Sequence, residues 1–411
     1  MTTEKHWHPA IHHAHRLLIE SSGLMVLGAI VALAWANTSS GSYHDLVGYD
    51  LGTIGGVHLS PHSIINEMLM CVFFALAGKE ILEAFLPGGA LNRPENRALP
   101  FIATAGGMLG PAGLFAILAV TIERDLLPGT AIPMATDIAF AALVGKLIFG
   151  SLKHPCVQFL LVLAIADDAG GLAVLAIFYQ DGDPAGLLLG GLLIAAALSL
   201  TLVLRKQFGV TNYFWYAIPG VISWIAFHEA GLEPAISLVP VVLLMPHAKR
   251  DLGIFTEAHR NGDLKDTLNR FEHHMELPVE FILCAFAFVN AGVELSTVGN
   301  GTTFVLIGLL VGKPLGIYAF TVIAMKLRGY QLPEGMDKSD LLVMGMIAGI
   351  GFTVSLFVAG VAFDEGPLLD ASRLGALASF GSAVIAIAYA RMRGVGRFSR
   401  SKPYYIVATA K

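Results

Sequence analysis

The sequence predicts an all-α integral membrane protein with twelve transmembrane helices. Three observations carry that expectation: an apolar composition, a succession of apolar segments of spanning length, and basic residues biased to alternate loops. Hydrophobic residues make up 55% of the 411 residues and charged residues 14%, where a soluble chain carries about 25% charge. The net charge of −5 is uninformative, and nothing resembles a phosphate loop or a nucleic-acid surface, so no nucleic-acid partner is expected. Cys71, Cys156 and Cys284 lie in or at the ends of apolar segments, at spacings that indicate neither a disulfide framework nor a zinc site.

The segments fall at about 17–36, 63–86, 99–122, 131–149, 155–179 and 185–204, then at about 213–230, 234–246, 278–293, 302–326, 340–363 and 369–391. The eighth is short and could be tilted or broken. Ahead of the first, His6, His8, His12, His13 and His15 could sense pH or bind metal, but a solvated interfacial flank is the leading reading. Ala34-Trp35-Ala36 imitates a signal-cleavage site, but the run before it is long enough to span and loop parity requires it as a helix. Residues 43–60 have strand character, and Gly52 with Gly55-Gly56 could turn a small hairpin, though a simple loop satisfies the sequence as well. A hairpin edge there offers a pairing surface between protomers.

Loop charge tests the count. Lys5 and Arg16 precede the first segment, Arg93 and Arg97 follow the second, Lys146 and Lys153 edge the loop after the fourth, and Arg205 and Lys206 follow the sixth. Lys249, Arg250, Arg260, Lys265 and Arg270 fill the loop after the eighth, Lys326, Arg328 and Lys338 the loop after the tenth, and Arg391, Arg393 and Arg397 begin the tail. The alternate loops carry Asp45, Asp50, Asp181, Asp183, Glu294, Asp364 and Glu365, with only Arg124 and Arg373 as bases. The positive-inside rule then puts both termini in the cytoplasm, which requires an even number of spans.

Charge at depth is the functional signal. From Pro155, Asp167 and Asp168 lie about 18 Å along a run about 37 Å long, near the bilayer midplane. A charge there costs about 2.5–3.5 kcal/mol on insertion scales. The pair, with Ala166, Ala169, Gly170 and Gly171 around it, must face a partner, a proton or a cation. An ion-handling site is the leading reading, and a structural buried acid pair is the alternative.

Segments three to five and ten to twelve each have a middle helix weakened near its centre. In segment four the disturbance is Pro133-Met134-Ala135-Thr136-Asp137, and in segment eleven Gly349-Ile350-Gly351-Phe352-Thr353. By loop parity segment three starts inside and segment ten outside, so the triplets form inverted-topology repeats. Paired interrupted, crossing helices in such repeats point to a midplane transport site. Their ends would leave positive partial charge where N-termini meet, suited to Asp137, and negative where C-termini meet, suited to Lys313. Lys313, about 16 Å along segment ten, could pair with Asp167 or Asp168. Thr136 offers a hydroxyl and a carbonyl such as Na⁺ would want, although a mid-helix threonine is more often packing or back-bonding.

Several stretches together resemble the NhaA-type sodium/proton antiporter family over nearly the whole chain. They are Trp35-Ala36-Asn37, Ile65-Asn66-Glu67, Phe73-Phe74 with Gly78, Gly106-Gly107-Met108 with Pro111-Ala112, and Ala135-Thr136-Asp137-Ile138-Ala139-Phe140. Asp167-Asp168, Ala287-Phe288-Val289-Asn290-Ala291-Gly292-Val293, Gly312-Lys313-Pro314-Leu315-Gly316 and Gly349-Ile350-Gly351-Phe352-Thr353 complete the set, in order and at matching depths. The resemblance implies that Asp168 is the principal Na⁺ ligand and proton carrier, that Asp167 pairs with Lys313 when Na⁺ is absent, and that Thr136 helps hold the ion. It implies no cofactor and no enzymatic activity, a bacterial inner (plasma) membrane location, and a homodimer formed through the 43–60 region. One transporter of residues 1–411 would then comprise a core bundle at about 99–180 and 302–392, dimer-side helices at about 17–86 and 234–293, and linker helices at about 185–230.

The departures concern regulation. Where the family runs Leu-Glu-Val-Lys-Arg-Glu after the glycine, this chain has Lys79-Glu80-Ile81-Leu82-Glu83-Ala84, and Glu67 stands where aspartate is common. The family's Gly-X-His-Ala reads Gly231-Leu232-Glu233-Pro234-Ala235, and Glu272-His273 match a family pair near the pH-sensing region, while the His-Pro that follows it in the family appears as Leu277-Pro278. Glu67, Glu80, Glu272 and His273 are therefore the candidates for ion funnels and pH response, although a solvated end charge suits Glu67 and Glu80 equally well. The function expected is electrogenic export of Na⁺ or Li⁺ against more than one incoming proton, with both ions competing at acids that titrate as a coupled unit. A sodium-coupled symporter of a small organic anion is the rival, but it would need more cationic or polar groups at depth than Lys313 alone. A membrane-embedded enzyme would need converging nucleophile, base or metal ligands, and no such set stands out.

Overall fold

The computed structural model describes residues 23–54, 57–87, 89, 94–180, 182–247 and 266–398. The N-terminal histidines His6, His8, His12, His13 and His15, the start of the first apolar segment, Gly55-Gly56, the basic loop 248–265 and the tail beyond residue 398 lie outside the described residues.

In chain order the elements are α1 (Gly23–Thr38), α2 (Ser40–Val47), β1 (Gly52–Ile54), β2 (Val57–Leu59), α3 (Met70–Phe85), α4 (Pro94–Ile122), a 3₁₀ helix (Arg124–Met134), α5 (Ile138–Phe149), α6 (Pro155–Phe178), α7 (Pro184–Lys206) and α8 (Ala217–Glu229). They continue with α9 (Val239–Leu244), α10 (Thr267–Asn290), α11 (Asn300–Ile307), α12 (Lys313–Arg328), α13 (Lys338–Ala348), α14 (Phe352–Ala362), α15 (Pro367–Ala378) and α16 (Gly381–Arg393). Helices predominate because a backbone surrounded by apolar groups must bond its own N–H and C=O groups.

Among the described residues, five helical stretches are long and apolar enough to span a membrane: Ala98–Ile122, Pro155–Phe178, Pro184–Lys206, Asn300–Arg328 and Pro367–Phe398. Two bent pairs bring the number to seven, Arg124–Met134 with Ile138–Phe149 at 56° and Lys338–Ala348 with Phe352–Ala362 at 50°. The sequence's other apolar segments are divided or diluted. A π-helical turn at Ile64–Leu69 separates the start of segment two from α3, and α9 is only six residues long. The first half of α10 carries Arg270, Glu272, His273, His274 and Glu276.

The chain divides into two compact units. The first holds described residues 23–79, 175–247 and 266–297, and the second 80–174 and 298–398. In the first unit α1 lies against α10 so closely that a Cβ on Gly28 would come within 2.4 Å of the Cys284 carbonyl. The Asn37 amide donates to the Val293 carbonyl at 2.9 Å, and the Tyr43 hydroxyl to that of Phe288 at 2.6 Å. The strands pair antiparallel with Gly52 opposite Leu59 and Thr53 opposite His58, so residues 43–60 contain a hairpin rather than a simple loop. Gly52 has φ of 112°, a conformation that favours glycine.

In the second unit α4 and α12 meet through glycines. A Cβ on Gly106 would fall 2.3 Å from the Gly316 carbonyl oxygen, and one on Gly110 would fall 2.5 Å from that of Gly312. The two Gly-x-x-x-Gly faces thus bring backbone against backbone, the usual way membrane helices gain van der Waals contact without a hydrophobic driving force. This contact sets the position of α12, whose first residue is Lys313.

Candidate functional site

Two breaks in the second unit build the site. The 3₁₀ helix stops at Met134, just after Pro133, and Ala135 turns extended with φ −80° and ψ 155°. Proline lacks the N–H that a continuing helix would need. Thr136 follows, and Asp137 caps α5 by accepting from the Phe140 N–H at 3.3 Å. On the other side α13 ends at Ala348, Gly349-Ile350-Gly351 leave the helix, and α14 begins at Phe352. The breaks are tied together: the Asp137 N–H donates to the Ile350 carbonyl at 2.8 Å, and the Ser355 hydroxyl to the Ile132 carbonyl at 2.7 Å.

The breaks sort charge by helix end. The Asp137 carboxylate accepts from Phe140 N–H at the start of α5, and from the Thr353 N–H at 3.3 Å and the Thr353 hydroxyl at the start of α14. One carboxylate therefore faces two helix N-termini, where exposed N–H groups favour a negative charge. At the opposite polarity the Lys313 ammonium donates to the carbonyl of Met134, the last residue of the 3₁₀ helix.

Lys313 also reaches Asp167 on α6: Nζ to Oδ2 is 2.9 Å, and neither side chain is exposed. The Thr136 hydroxyl lies 2.7 Å from the same oxygen and 3.1 Å from the Ala348 carbonyl, and its single proton is shared between these two acceptors. Asp168 is only half-buried, whereas Asp167 is 1% exposed. Among the described residues, Asp167 Oδ1 and Asp168 Oδ1 accept no hydrogen bond. A hydroxyl, a helix-end carbonyl and carboxylate oxygens with spare lone pairs form the hard-oxygen environment suited to an alkali cation as substrate. No group of three or more His, Cys, Asp or Glu placed to hold a resident metal occurs among the described residues.

Of the residues singled out from sequence, Thr136, Asp137, Asp167, Asp168, Lys313 and Thr353 converge here, around the breaks at Ala135 and at Gly349 to Gly351. Glu80, half-buried on α3, belongs to the same unit and lies within electrostatic reach of Asp168. The other funnel candidates belong to the first unit. Glu67 interacts with His228, whose ring stacks on Trp224, and the Trp224 indole donates to the Glu67 carbonyl at 2.9 Å. Glu272 pairs at 2.6 Å with Lys79, and His273 is exposed. Glu233, in the turn between α8 and α9, is neighbour to Glu67, and burial raises its carboxyl to about 7.

Sequence reasoning missed several contributors. Outside the site, in the first unit, the partner that Glu272 finds is Lys79, 2% exposed, and a lysine directly after Gly78 in an apolar run was its signal. The spaced glycines 106/110 and 312/316 were legible as a pattern. Ser355, Ser379 and Ser382, all buried beside the breaks, gave no signal, since serine in an apolar helix reads as packing.

The family described as Na⁺/H⁺ antiporter 1 matches residues 14–390, a span that contains the whole site. The chain belongs to this family. Among relatives, the Na(+)/H(+) antiporter NhaA of Jannaschia sp. (strain CCS1) is 44% identical over 408 residues, covering 90% of this chain and 96% of that one. The Na(+)/H(+) antiporter NhaA of Geobacter sulfurreducens is 39% identical over 384 residues, covering 93% and 98%. Among solved structures, the sodium proton antiporter MjNhaP1 from Methanocaldococcus jannaschii is 14% identical, covering 91% of this chain and 97% of that one with a TM-score of 0.47. Within the family match fall both carboxylates of the dyad, the buried lysine and both breaks.

Proposed function

We propose that this member of the Na⁺/H⁺ antiporter 1 family exports Na⁺, or Li⁺, from the cytoplasm of a bacterium in exchange for protons. The observation that carries the reading is the asymmetry of the dyad. Asp167 is engaged by Lys313 and Thr136, while its neighbour Asp168 keeps an oxygen without a hydrogen bond among the described residues. Asp168 is thus the principal ligand and proton carrier. A cation entering beside it competes with protons, and also with Lys313 for Asp167. Ion and proton cannot occupy the same oxygens together, which makes the exchange obligatory.

In the cycle, Na⁺ displaces protons on the cytoplasmic side and the core bundle moves. Na⁺ leaves outside, and returning protons restore the starting state. The cationic lysine beside two carboxylates supports more than one proton per Na⁺, hence electrogenic exchange. Each net charge moved is then driven by about 2.3 kcal/mol per 100 mV of membrane potential. The pairing of α4 to α6 with the 300–398 helices, each triplet holding one bent pair, supports the inverted-repeat reading, while the twelve spans and cytoplasmic termini rest on the loop charges alone. The strand pair at 52–59 supports a homodimer that adds edge to edge there. Glu67, Glu80, Glu272 and His273 would tune ion entry and pH response.

The test is a fluorescent ΔpH assay in inverted vesicles across pH, with K⁺ as control. Na⁺ dissipates the gradient in the native protein, and Asp168→Asn abolishes that response. A native-like response from the variant would refute the assignment. A rate that ignores an imposed membrane potential would refute electrogenic exchange.

A further inference from the structure

Segment twelve is itself disturbed where it passes the break between α13 and α14. At Ser379-Phe380 the bonding tightens to i→i−3: Phe380 N–H donates to the Leu377 carbonyl at 3.3 Å, Ser382 N–H to that of Ser379 at 2.9 Å, and Ala383 N–H to that of Phe380 at 3.1 Å. The Ser379 hydroxyl bonds back to the Ala376 carbonyl at 2.6 Å, a contact that bends helices. The disturbance aims three side chains at the ion site's framework. The Ser382 hydroxyl donates to the Met346 carbonyl in the last turn of α13. The Ser379 hydroxyl accepts the Gly351 N–H at 3.2 Å. The Phe380 ring meets Phe140, in the first turn of α5, at 4.8 Å between centroids, and Phe352, the first residue of α14, at 4.6 Å.

Residues 346–351 have a backbone that helical bonding no longer serves, and each released group must find a partner. The Ile347 carbonyl takes the Ile350 N–H at 3.1 Å, and the Ile350 carbonyl takes the Asp137 N–H at 2.8 Å. The Ala348 carbonyl takes the Thr136 hydroxyl. Gly351 N–H is served by Ser379, and the Met346 carbonyl takes the Gly349 N–H at 3.1 Å with the Ser382 hydroxyl as its second donor. Space is as tight as the bonding: a Cβ on Gly349 would come within 2.8 Å of Ser382 Oγ. Both serines are at most 1% exposed.

We propose that Ser382 and Ser379 are positioning residues for ion binding: they anchor residues 346–351 so that the Ala348 carbonyl holds the Thr136 hydroxyl beside Asp167. Segment twelve thereby reaches the site without touching the ion. The proposal rests on the dyad being the ion site. Removing the Ser382 hydroxyl leaves the end of α13 loose, and Thr136 loses a fixed acceptor. Apparent ion affinity falls more than maximal turnover does, because the cation is held by the arrangement that slackens.

The full-length protein in proteoliposomes tests this through the Na⁺ and Li⁺ dependence of ΔpH dissipation, with melting in detergent measured alongside. Ser382→Ala raises the apparent KM for Na⁺ by about fivefold, the scale of one hydrogen bond removed, while maximal rate changes far less. Ser382→Thr, which keeps the hydroxyl, restores KM. The control is Thr302→Val, which removes another buried hydroxyl-to-carbonyl bond of the same unit, 2.8 Å to Ala371, remote from the breaks in sequence. It lowers melting but leaves KM unchanged. A native KM in Ser382→Ala, an equal shift in Thr302→Val, or no recovery in Ser382→Thr overturns the proposal. If Ser382→Ala does not fold, Ser379→Ala is read in the same way. Failure of the dyad reading shows separately, as a Na⁺ response that survives Asp168→Asn.

Discussion

The Lys313 ammonium sits 2.9 Å from Asp167 Oδ2 and also donates to the Met134 carbonyl, with no part of either charged side chain exposed. One lysine therefore answers two deficits at once, a buried carboxylate and the C-terminal end of a broken helix. Neither deficit has solvent to compensate it, so the lysine is a structural element as well as a part of the proposed ion site.

Lys313→Ala leaves Asp167 buried without its counter-charge. Removing one partner of a buried pair costs about 3–5 kcal/mol, so the variant melts well below the native protein in detergent. Lys313→Ala combined with Asp167→Asn, which removes both charges, recovers a large part of that loss. An unchanged melting temperature in the single variant would show that the pair contributes nothing.

Gly316→Val puts a side chain where a Cβ alone would lie 2.0 Å from the Gly106 carbonyl oxygen. Because that obstacle is backbone, α4 and α12 must separate, and overpacking of this kind costs about 1–3 kcal/mol or more. The expected outcome is sharply reduced yield of folded protein and loss of Na⁺-dependent ΔpH dissipation. Gly113→Val on α4 is the matched control, since a Cβ there meets nothing within 4 Å. Equal behaviour of the two variants would contradict the close contact.

Glu233 makes stability depend on pH. Its ordinary value is 4.5, and burial, with a smaller addition from Glu67, raises it to about 7 in the folded protein despite the Ala235 N–H it accepts. Between those values the folded state holds a proton that the unfolded state has released, so stability falls as pH rises from about 4.5 to 7 and then levels off. The loss is on the order of 3 kcal/mol. Glu233→Gln, which has no proton to lose, gains stability over the native protein above pH 7 and little below pH 4.5. Melting curves in detergent across that range check it, and parallel curves for the two proteins would sink it.

The chemistry-bearing residues were legible in the sequence for a simple reason. A charge inside an apolar run is visible without any coordinates, and so are the proline and glycines that weaken a helix around it. Asp137, Asp167, Asp168 and Lys313 could be read that way, as could the disturbed stretches 133–137 and 349–353. Charge depth left open which aspartate Lys313 takes, and only the family resemblance implied Asp167, the partner found here. Neighbours on a helix point about 100° apart, and the choice of Asp167 comes from where the glycine contact between α4 and α12 seats the lysine.

The same limit explains the hydroxyls. Thr353 on Asp137, Ser382 on Met346 and Ser379 on Gly351 are each a local match between a short side chain and one released backbone group. That match arises only once three separate stretches of chain have packed together. By itself the sequence determined which residues carry charge into the apolar interior and where helices must break. Only tertiary structure decided which oxygen faces which donor, because partner choice in a close-packed interior is settled by ångström-scale approach between segments distant in the chain.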